Sequence, residues 1–439
     1  MVMDSRSIPD EIKEYMMKAY QKASQWRLPN GSDWHNSKPI DVWNAAVIGG
    51  GTMGRGIAIA LCMAGYHTIL VENDQKSLEI CRQQLETTYA REEKLGRFTS
   101  VQSQKLRDGI HLTTDLDSLR STDIVIEAVF EKMALKIELL AKLYKICPPS
   151  AIFGTNTSSL NIDEMSSVLK DPSRLVGIHF FNPAHIIRMV EVVRGNHTAG
   201  KAVATAFAVC SRMKKVPVLV GNCPSFVFNR LLGVYLNQAQ KLLYQYGIFP
   251  KDVDALILSF GFLMGPLTMA DMNGLDVLAL LKAEHNYPLT PTEKELLDRN
   301  WLGRKTGKGF YSYDPVTQKK SNDPAVEAIV RELSADANFN IQLLCDEDVV
   351  EFLLFPMVNE GFLCVEEGMV EDESLIDVMF LLGFGWPITH GGPMRWGRSV
   401  VGLGKIAERV AHWHSLEPHD RSYQLSKTLA DLMKERSHI

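Results

Sequence analysis

The sequence lacks any charge-free apolar run of the roughly 18 or more residues that a membrane-spanning helix needs. The nearest candidate, 45–65, contains Arg55 and six glycines. Low-complexity tracts are also missing, and a composition of 46% hydrophobic and 23% charged residues is typical of globular proteins. We therefore expect a folded protein without membrane insertion.

The sequence also lacks an excess of positive charge. Its 47 Lys and Arg residues are outnumbered by 52 Asp and Glu residues, which gives a formal net charge of −5. Nucleic acids and anionic membranes are bound by clustered Lys and Arg side chains. We therefore expect no nucleic-acid partner, although local basic residues can still form a site for an anionic substrate.

No pair among the seven cysteines has the CxxC spacing of a metal site, and their number is odd. Several cysteines lie in apolar helical stretches, which predicts a reducing compartment where they serve as small hydrophobic residues. His412, His414 and His419 have no Cys or second His cluster elsewhere that would complete a metal site. We expect no bound metal.

Both ends of the chain bear on its location. The first 20 residues carry four acidic residues and no apolar core, so we expect neither a secretory signal nor a mitochondrial transit peptide. The last three residues, Ser437-His438-Ile439, are similar to the Ser-Lys-Leu peroxisomal address. They predict recognition by the peroxisomal import receptor, and a cytoplasmic location is the alternative.

A chain of 439 residues predicts two or three domains. Residues 1–40 are polar, with one helical stretch near 10–25, and are expected to form a surface extension. Over 41–223, short apolar strands alternate with amphipathic helices, which predicts a mostly parallel sheet with helices on both faces. The expected strands are 42–48, 68–72, 124–128, 151–154 and 175–179, and two of the expected helices are 75–94 and 132–146.

From residue 224 onward the periodicity is helical, and one helical unit occurs twice, in 224–320 and in 321–439. The offset stays within one residue of 122, with Asn229 returning as Glu351, Asn237 as Asn359, Asp254 as Asp377 and Gly265-Pro266 as Trp386-Pro387. The predicted fold is therefore an α/β Rossmann-type dinucleotide-binding domain followed by two related all-α domains. If the first helical copy carries chemistry, the second is expected to be structural.

A dinucleotide fingerprint follows the first expected strand and opens a helix. Gly49-Gly50-Gly51-Thr52-Met53-Gly54 fits G-x-G-x-x-G in the required context. Gly49 would permit the tight turn, Gly51 would let a pyrophosphate approach the backbone, and Gly54 would allow close helix packing. The pyrophosphate would then lie at the helix N-terminus, beside Thr52 and Met53.

Glu72 ends the second expected strand, 18 residues after Gly54. Its carboxylate would bind the adenine-ribose hydroxyls and repel the 2′-phosphate of NADP. No Arg or Lys stands at positions 73–75 to bind that phosphate, so NAD is the predicted cofactor. FAD remains open from the motif alone, and a glycine-rich turn beside an exposed Glu is the structural alternative.

Polar runs interrupt the apolar pattern after two expected parallel strands. These are 156–159, Asn-Thr-Ser-Ser, and 179–183, His-Phe-Phe-Asn-Pro. Ligands of open α/β sheets bind beyond the carboxyl ends of the strands. Glu191 lies 12 residues after His179, far enough for the chain to return and place the carboxylate beside the imidazole.

With these motifs the sequence resembles the L-3-hydroxyacyl-CoA dehydrogenase family over residues 42–439. Further family-like stretches occur in family order at 126–131, 228–230, 264–266 and 303–311. The doubled helical region and 391–394 are similar to the peroxisomal branch, in which one chain carries a hydratase and a dehydrogenase. Residues 1–40 resemble only the linker between those activities, so hydratase activity is not expected.

The resemblance implies NAD-dependent oxidation of an L-3-hydroxyacyl-CoA to the 3-ketoacyl-CoA in fatty acid β-oxidation. It makes His179 the general base and Glu191 its partner. It also assigns Ser158 to the substrate oxygen, and Asn229 to the substrate and the developing carbonyl in a cleft between domains. It further implies that Glu131, Lys136, Asn182 and Lys305 lie near the nicotinamide half of NAD, and that Thr88 and Lys94 are candidate contacts of CoA.

Several alternatives remain open. His179 alone could be a buried structural histidine, Ser158 could cap the next helix, and Asn229 could brace its own helix. The 303–309 loop could be only a turn. A catalytically idle NAD-binding scaffold and a dehydrogenase of another hydroxy acid or a sugar phosphate are the competing functions. The chain could be a monomer or a dimer.

Overall fold

The structure is a computed structural model that describes residues 8–25, 36–284, 287–335 and 345–437. It divides into two compact units. The α/β unit comprises Met16–Val227 and Gly368–Gly383, and the helical unit comprises Met1–Tyr15, Phe228–Glu367 and Phe384–Ile439. The predicted division at residues 40, 223 and 320 is not tested by this split and stays a prediction.

The α/β unit contains one eight-stranded sheet. In chain order its strands are β1 (Asn44–Ile48), β2 (His67–Val71), β3 (Ile110–Thr113), β4 (Ile124–Glu127), β5 (Ile152–Thr155), β6 (Leu175–Phe180), β7 (Met189–Arg194) and β8 (Val216–Gly221). The strand order in space is β3-β2-β1-β4-β5-β6-β7-β8. The chain therefore reverses its direction of travel between β1 and β4, which is where doubly wound sheets bind their ligands. All neighbours pair in parallel except β6 and β7.

Helices cover this sheet, and its central strands are accordingly apolar on both faces. The helices of the sheet are α2 (Thr52–Met63), α3 (Gln75–Lys94), α4 (Ser100–Gly109), α5 (Met133–Ile146), α6 (Ile162–Ser166) and α7 (Gly200–Arg212). They are preceded in the chain by α1 (Asp10–Ser24), whose residues are divided between the two units. The α3 helix begins where Asp74 accepts a hydrogen bond from Ser77 N, and α4 begins in a capping box formed by Thr99 and Gln102.

The Rossmann-type architecture predicted from the sequence is confirmed. The five expected strands occur within two residues of their predicted bounds, and the two expected helices are α3 and α5. The strands β3, β7 and β8 were not predicted. The helical stretch expected near 10–25 is α1, whereas 1–7 and 26–35 of the N-terminal extension lie outside the described residues.

The remainder of the chain is almost entirely helical. In chain order the helices are α8 (Phe226–Tyr244), α9 (Pro250–Phe260), α10 (Pro266–Asn273), α11 (Leu275–Glu284), α12 (Pro291–Asp298), α13 (Pro324–Ala335), α14 (Asp346–Glu366), α15 (Glu373–Met379), α16 (Pro393–Arg395), α17 (Leu403–Leu416) and α18 (Lys427–Ser437). A two-stranded antiparallel pair, β9 (Ser312–Tyr313) and β10 (Lys320–Ser321), follows α12. Among the described residues, no helix is long and apolar enough to cross a membrane.

The internal repeat recurs in the backbone of α8–α11 and α14–α17. Gly265-Pro266 begins α10, and Gly392-Pro393 begins α16 in the same way. Gly274 precedes α11 with φ 93° and ψ 125°, and Gly402 precedes α17 with φ 91° and ψ 124°. Gly392-Pro393 is therefore the structural counterpart of Gly265-Pro266. The prediction that Trp386-Pro387 is the counterpart, which rested on a constant sequence offset, is wrong. Extra residues between Gly385 and Gly391 explain the difference.

Asp254 secures the start of α10 from the neighbouring helix α9. The N-cap of α10 is glycine and offers no side-chain acceptor. The buried Asp254 carboxylate instead accepts hydrogen bonds from Leu267 N at 2.9 Å and Thr268 N at 3.1 Å, and also from Tyr311 Oη at 2.8 Å. The first helical N–H groups have no partner within a helix, so this carboxylate satisfies groups that would otherwise be buried unpaired.

We expect Asp254→Ala to lower the free energy of unfolding by about 3 kcal/mol or more, because several buried donors would lose their acceptor. Urea denaturation measures this loss. Asp252→Ala, on the exposed side of the same helix, is the matched control and should change stability little. Equal stability of the two variants would contradict the capping role.

Candidate active site

The glycine loop joins β1 to α2 in the geometry of a dinucleotide site. Gly49 has a φ of +97°, and a Cβ there would lie 2.8 Å from Ala128 O. A Cβ on Gly54 would lie 1.8 Å from Gly49 O, whereas a Cβ on Gly51 would meet nothing within 4 Å. Gly49 and Gly54 are therefore required by the turn and by packing, and the side of Gly51 is open to an approaching group. Its contact with a pyrophosphate stays a prediction.

Glu72 lies beside this loop at the end of β2. Its Oε1 accepts a hydrogen bond from Gly50 N at 2.7 Å, and its Oε2 accepts one from Asn73 N at 3.1 Å. Arg55, which the sequence analysis did not single out, donates from Nη1 to Gly50 O at 2.6 Å. Burial lowers the pKa of Arg55, although nearby Cys81 and Glu72 oppose this effect. The structure thus brings the glycine loop and the predicted ribose-binding carboxylate together.

His179 and Glu191 are directly opposed in the antiparallel pair β6–β7. Nδ1 of His179 lies 2.8 Å from Oε2 of Glu191, and both side chains are buried. The imidazole packs against Phe181, with 4.6 Å between ring centroids, and against Phe226 at 5.9 Å. A carboxylate at Nδ1 favours the tautomer that carries its proton there, so Nε2 keeps a lone pair that can accept a proton.

Ser158 lies after β5, where its backbone N–H donates to Glu131 Oε1 at 2.7 Å and its hydroxyl donates to the same oxygen at 3.2 Å. Thr157 Oγ1 donates to this oxygen at 2.6 Å. The neighbouring Asn156 Oδ1 accepts a hydrogen bond from Phe180 N at 2.9 Å, so the ends of β5 and β6 are tied together. The polar residues that follow β5 therefore lie beside the carboxyl end of β6, the strand that carries His179.

A buried lysine links two carboxylates at this edge. Lys136 Nζ lies 2.6 Å from Glu127 Oε1 and 3.2 Å from Glu131 Oε2. Glu127 also accepts hydrogen bonds from Thr155 Oγ1 and Val129 N. Burial alone would raise the pKa of Glu131, but the Lys136 ammonium and the hydrogen bonds from Thr157 and Ser158 outweigh it and lower that pKa. Glu131 is therefore a stable anion.

Glu127, Thr155 and Thr157 were not predicted as site residues. The signal that could have found Glu127 is its position, because it is the last residue of an otherwise apolar buried strand. A carboxylate in such a place must be paired, and here its partner is the equally buried Lys136.

The other predicted residues lie at several places. Asn182 is exposed just after β6, and Thr88 and Lys94 lie on α3, where the Thr88 hydroxyl donates to Gln84 O of the same helix. Asn229 lies on α8 in the helical unit. Lys305 belongs to the same unit, in the 303–309 loop, and forms an ion pair with Asp276. The structure thus pairs His179 with Glu191 and gathers Ser158, Glu131 and Lys136. The joint action of the other predicted residues with them stays a prediction.

The 303–309 loop is a tight turn packed against Asp271, and a binding role of its basic side chains stays a prediction. A Cβ on Gly303 would lie 2.3 Å from Asp271 O, and one on Gly309 would lie 2.0 Å from Asp271 Oδ1. Lys308 pairs with Asp323 at 2.8 Å. The glycines are thus explained by packing against Asp271, whose pKa is raised to about 7 by burial, although hydrogen bonds from the Phe310 and Tyr311 backbone oppose that shift.

The second helical copy differs at the position of Asn229. Glu351 stands there, is buried, and pairs with Arg409 at 3.0 Å and with Lys405. A carboxylate has no N–H group to donate, and both oxygens of this one pair with cations, which supports a structural role for this copy. Among the described residues, no group of three or more His, Cys, Asp or Glu side chains could hold a metal ion.

Comparison with known proteins gave two family matches. Residues 44–223 match the sequence model of the 3-hydroxyacyl-CoA dehydrogenase NAD binding domain, and residues 226–313 match that of the 3-hydroxyacyl-CoA dehydrogenase C-terminal domain. The crystal structure of the dehydrogenase part of multifunctional enzyme 1 from C. elegans is 51% identical, with a TM-score of 0.72, and the match covers 96% of this chain and 97% of that one.

Two curated relatives are larger proteins. The peroxisomal bifunctional enzyme of Danio rerio is 36% identical, over 97% of this chain and 62% of the relative. The glyoxysomal fatty acid beta-oxidation multifunctional protein MFP-a of Cucumis sativus is 32% identical, over 92% of this chain and 57% of the relative. The chain thus spans about three fifths of the length of these relatives.

The glycine geometry yields a paired prediction. Gly51→Ala should fold like the wild type, because its Cβ meets no atom and its φ of −63° suits alanine, but should bind NADH more weakly. Gly54→Ala should bind NADH more weakly and should also be less stable than the wild type, because the new Cβ would collide with the Gly49 carbonyl. Thermal unfolding and NADH fluorescence titration measure the two effects. Unchanged NADH affinity in a folded Gly51→Ala would contradict the predicted approach of the cofactor.

Proposed function

Since the chain belongs to the 3-hydroxyacyl-CoA dehydrogenase family, we propose that it oxidises the 3-hydroxyl of an L-3-hydroxyacyl-CoA to the ketone with NAD. The predictions of this family, of a dehydrogenase and of NAD as its cofactor are confirmed by the matches. The substrate, the pathway and the roles of individual residues belong to the proposal. The observation that carries it is the buried hydrogen bond between His179 and Glu191.

The pair is suited to removing the proton of an alcohol. Oxidation of a secondary alcohol requires loss of the hydroxyl proton as hydride leaves the carbon, and a positioned imidazole can accept that proton. His179 would accept it at Nε2. Glu191, bonded at Nδ1, would stabilise the resulting imidazolium in a site that excludes water. When bound, NAD supplies the acceptor for the hydride.

The residues present fit this cofactor. The open side of Gly51 leaves room for a pyrophosphate at the N-terminus of α2, where unpaired N–H groups favour negative charge. The Glu72 carboxylate lies beside the loop, and positions 73–75 are Asn, Asp and Gln, which offer no cation for a 2′-phosphate. The α/β unit thus provides places for the pyrophosphate and for a ribose without a phosphate.

We assign the other residues around this pair. Ser158, held by Glu131, would hydrogen-bond the substrate oxygen, and Asn229 would polarise the developing carbonyl. Glu131, Asn182 and Lys305 would lie near the nicotinamide half of NAD. Lys136 would contribute by fixing Glu131, since its ammonium is buried between two carboxylates. Thr88 and Lys94 on α3 would contact CoA.

The physiological setting follows from the relatives. Their names place the D. rerio protein in peroxisomes and the C. sativus protein in glyoxysomal fatty acid β-oxidation. We propose that this chain acts on acyl-CoA in peroxisomal β-oxidation, with the Ser437-His438-Ile439 tripeptide as its import signal. His438 and Ile439 of that tripeptide lie outside the described residues.

We propose that the protein is a monomer. In the helical unit, the first copy packs against the second through aromatic contacts, with 5.3 Å between the Phe262 and Phe384 ring centroids and 5.4 Å between those of Phe260 and Trp396. Arg230 adds ion pairs to Glu360 and Glu367. An apolar face covered from within the chain is not available to a second protein. Sedimentation equilibrium should give the mass of one chain, and a stable dimer at low concentration would contradict this proposal.

The activity is tested by following NADH oxidation with acetoacetyl-CoA. We expect His179→Ala to reduce the rate by about 10²- to 10⁴-fold, the typical contribution of a general base. His197→Ala is the matched control, because His197 is an exposed histidine of the same unit and should leave the rate unchanged. A wild-type protein that binds NADH without oxidising it would favour the idle scaffold, and full activity of His179→Ala would contradict the assigned base.

A further inference from the structure

The 181–188 connection joins β6, which carries His179, to β7, which carries Glu191. It is partly held by its own backbone, because Ile186 N and Ile187 N both donate to Pro183 O at 2.9 Å. Because the connection links the two strands directly, its position bears on how β6 aligns with β7. The groups that fix it therefore bear on the distance between the imidazole and the carboxylate.

Lys215 contacts the connection at two points. It follows the turn at the end of α7 and directly precedes β8. Its Nζ donates to Ala184 O and to Ile187 O, each at 2.6 Å, and its side chain is 7% exposed. The next residue, Val216, donates from its backbone N–H to Arg188 O at 2.8 Å. Lys215 thus holds both the middle and the end of the connection.

Burying the Lys215 ammonium costs desolvation free energy that a purely structural position does not require. Among the residues the structure describes, no carboxylate forms an ion pair with it, so only carbonyl dipoles offset its charge. Burial accordingly lowers its pKa to about 8; the Cys210 thiol opposes this shift, and Arg188 adds to it. An apolar side chain of similar length would avoid the cost of desolvation, but it could not bond the two carbonyl groups.

The opposite side of the connection is packed against α2, the helix that begins at the glycine loop. A Cβ on Gly56 would lie 3.0 Å from Ala184 Cβ and 3.2 Å from Ala184 N. Glycine at this position lets the helix approach the connection closely. Ala184 is therefore enclosed between the helix of the dinucleotide fingerprint and the Lys215 ammonium.

We propose that Lys215 is a positioning residue for the general base: by binding Ala184 O and Ile187 O it sets the alignment of β6 with β7, and hence the His179–Glu191 hydrogen bond. The proposal rests on the proposed function of that pair. Lys215 acts through the backbone, since none of the hydrogen bonds seen among the described residues joins it to His179 or Glu191.

The first test compares Lys215→Met with Lys201→Met, which removes an exposed lysine of α7. We expect Lys215→Met to lower kcat about 10- to 100-fold, as a small misplacement of a catalytic group does, with KM for NADH unchanged. The NMR resonance of the His179 Nδ1 proton, assigned by its loss in His179→Ala, should shift or broaden. Lys201→Met should change neither quantity, and Lys215→Arg, which keeps a charged donor, should restore part of both.

A loss of stability alone does not distinguish a positioning role of Lys215 from a structural one. A lysine with only a structural role would affect unfolding but not the Nδ1 resonance of a folded variant. A folded Lys215→Met with unchanged kcat and an unchanged resonance would overturn the proposal. The NMR readout needs no turnover. If the wild type proves inactive, the proposed function fails, while the effect of Lys215 on the pair is still measured.

A pH titration covers the case in which Lys215→Met does not fold. In the wild type the His179 Nδ1 resonance should show a separate step with a midpoint near pH 8, besides the change caused by protonation of His179 itself, as the Lys215 ammonium loses its charge and its bonds weaken. Arginine does not titrate there, so Lys215→Arg should lack this step. Absence of the step in the wild type, or its persistence in Lys215→Arg, would count against the proposal.

The other titratable groups around Lys215 are not expected to produce a step in this resonance near pH 8. Burial raises the pKa of the Cys210 thiol on α7 to about 12, against the smaller opposing effect of Lys215. Burial lowers the pKa of His185 in the connection, although Glu92 opposes this shift. Burial raises the pKa of Tyr20 on α1, against the smaller opposing effect of Arg188.

Discussion

The antiparallel pairing of β6 with β7 is the constraint on which the site depends. It is the one reversal in a sheet whose other neighbours, all among the described strands, are parallel. Side chains of directly opposed residues in such a pair lie on the same face, about 4.5–5.5 Å apart at Cβ. A carboxylate and an imidazole placed opposite each other therefore meet without strain. A shift of one residue would turn Glu191 to the other face of the sheet.

The same edge of the sheet gathers buried charge. Lys136 forms ion pairs with Glu127 and Glu131. The Thr155 hydroxyl at the end of β5 donates to Glu127, and Thr157 and Ser158 after β5 donate to Glu131. Glu127 and Lys136 are buried, whereas the Glu131 side chain is 29% exposed. Such an arrangement persists only if nearly every polar atom is satisfied, which gives Ser158 a defined position.

Much of this organisation could be predicted from the sequence. Strands buried on both faces leave continuous apolar runs, so β1, β4 and β6 were found, and the fingerprint and Glu72 follow from spacing alone. The outermost strand β3 has only one buried residue, Ile110, so its apolar signal is weak. The reversal at β7 leaves no short hairpin motif, because eight residues separate β6 from β7.

The contribution of Lys215 could not be predicted for a different reason. Its partners are backbone carbonyls, which every residue carries, so no pattern in the sequence marks them. The ion pair between Glu127 and Lys136 could not be predicted either, because nothing in the spacing of the two residues indicates that their side chains meet. The repeat was visible in the sequence, whereas its change of offset near residues 385–391 depends on where the helices start.

The most direct test of the central claim, that His179 and Glu191 act as one unit, is a double-mutant cycle on kcat with His179→Gln, Glu191→Gln and the double variant. If the carboxylate acts only through the imidazole, the double variant should be no slower than His179→Gln alone. Losses that multiply across the two substitutions would mean that the residues act independently, which would contradict this account of the site.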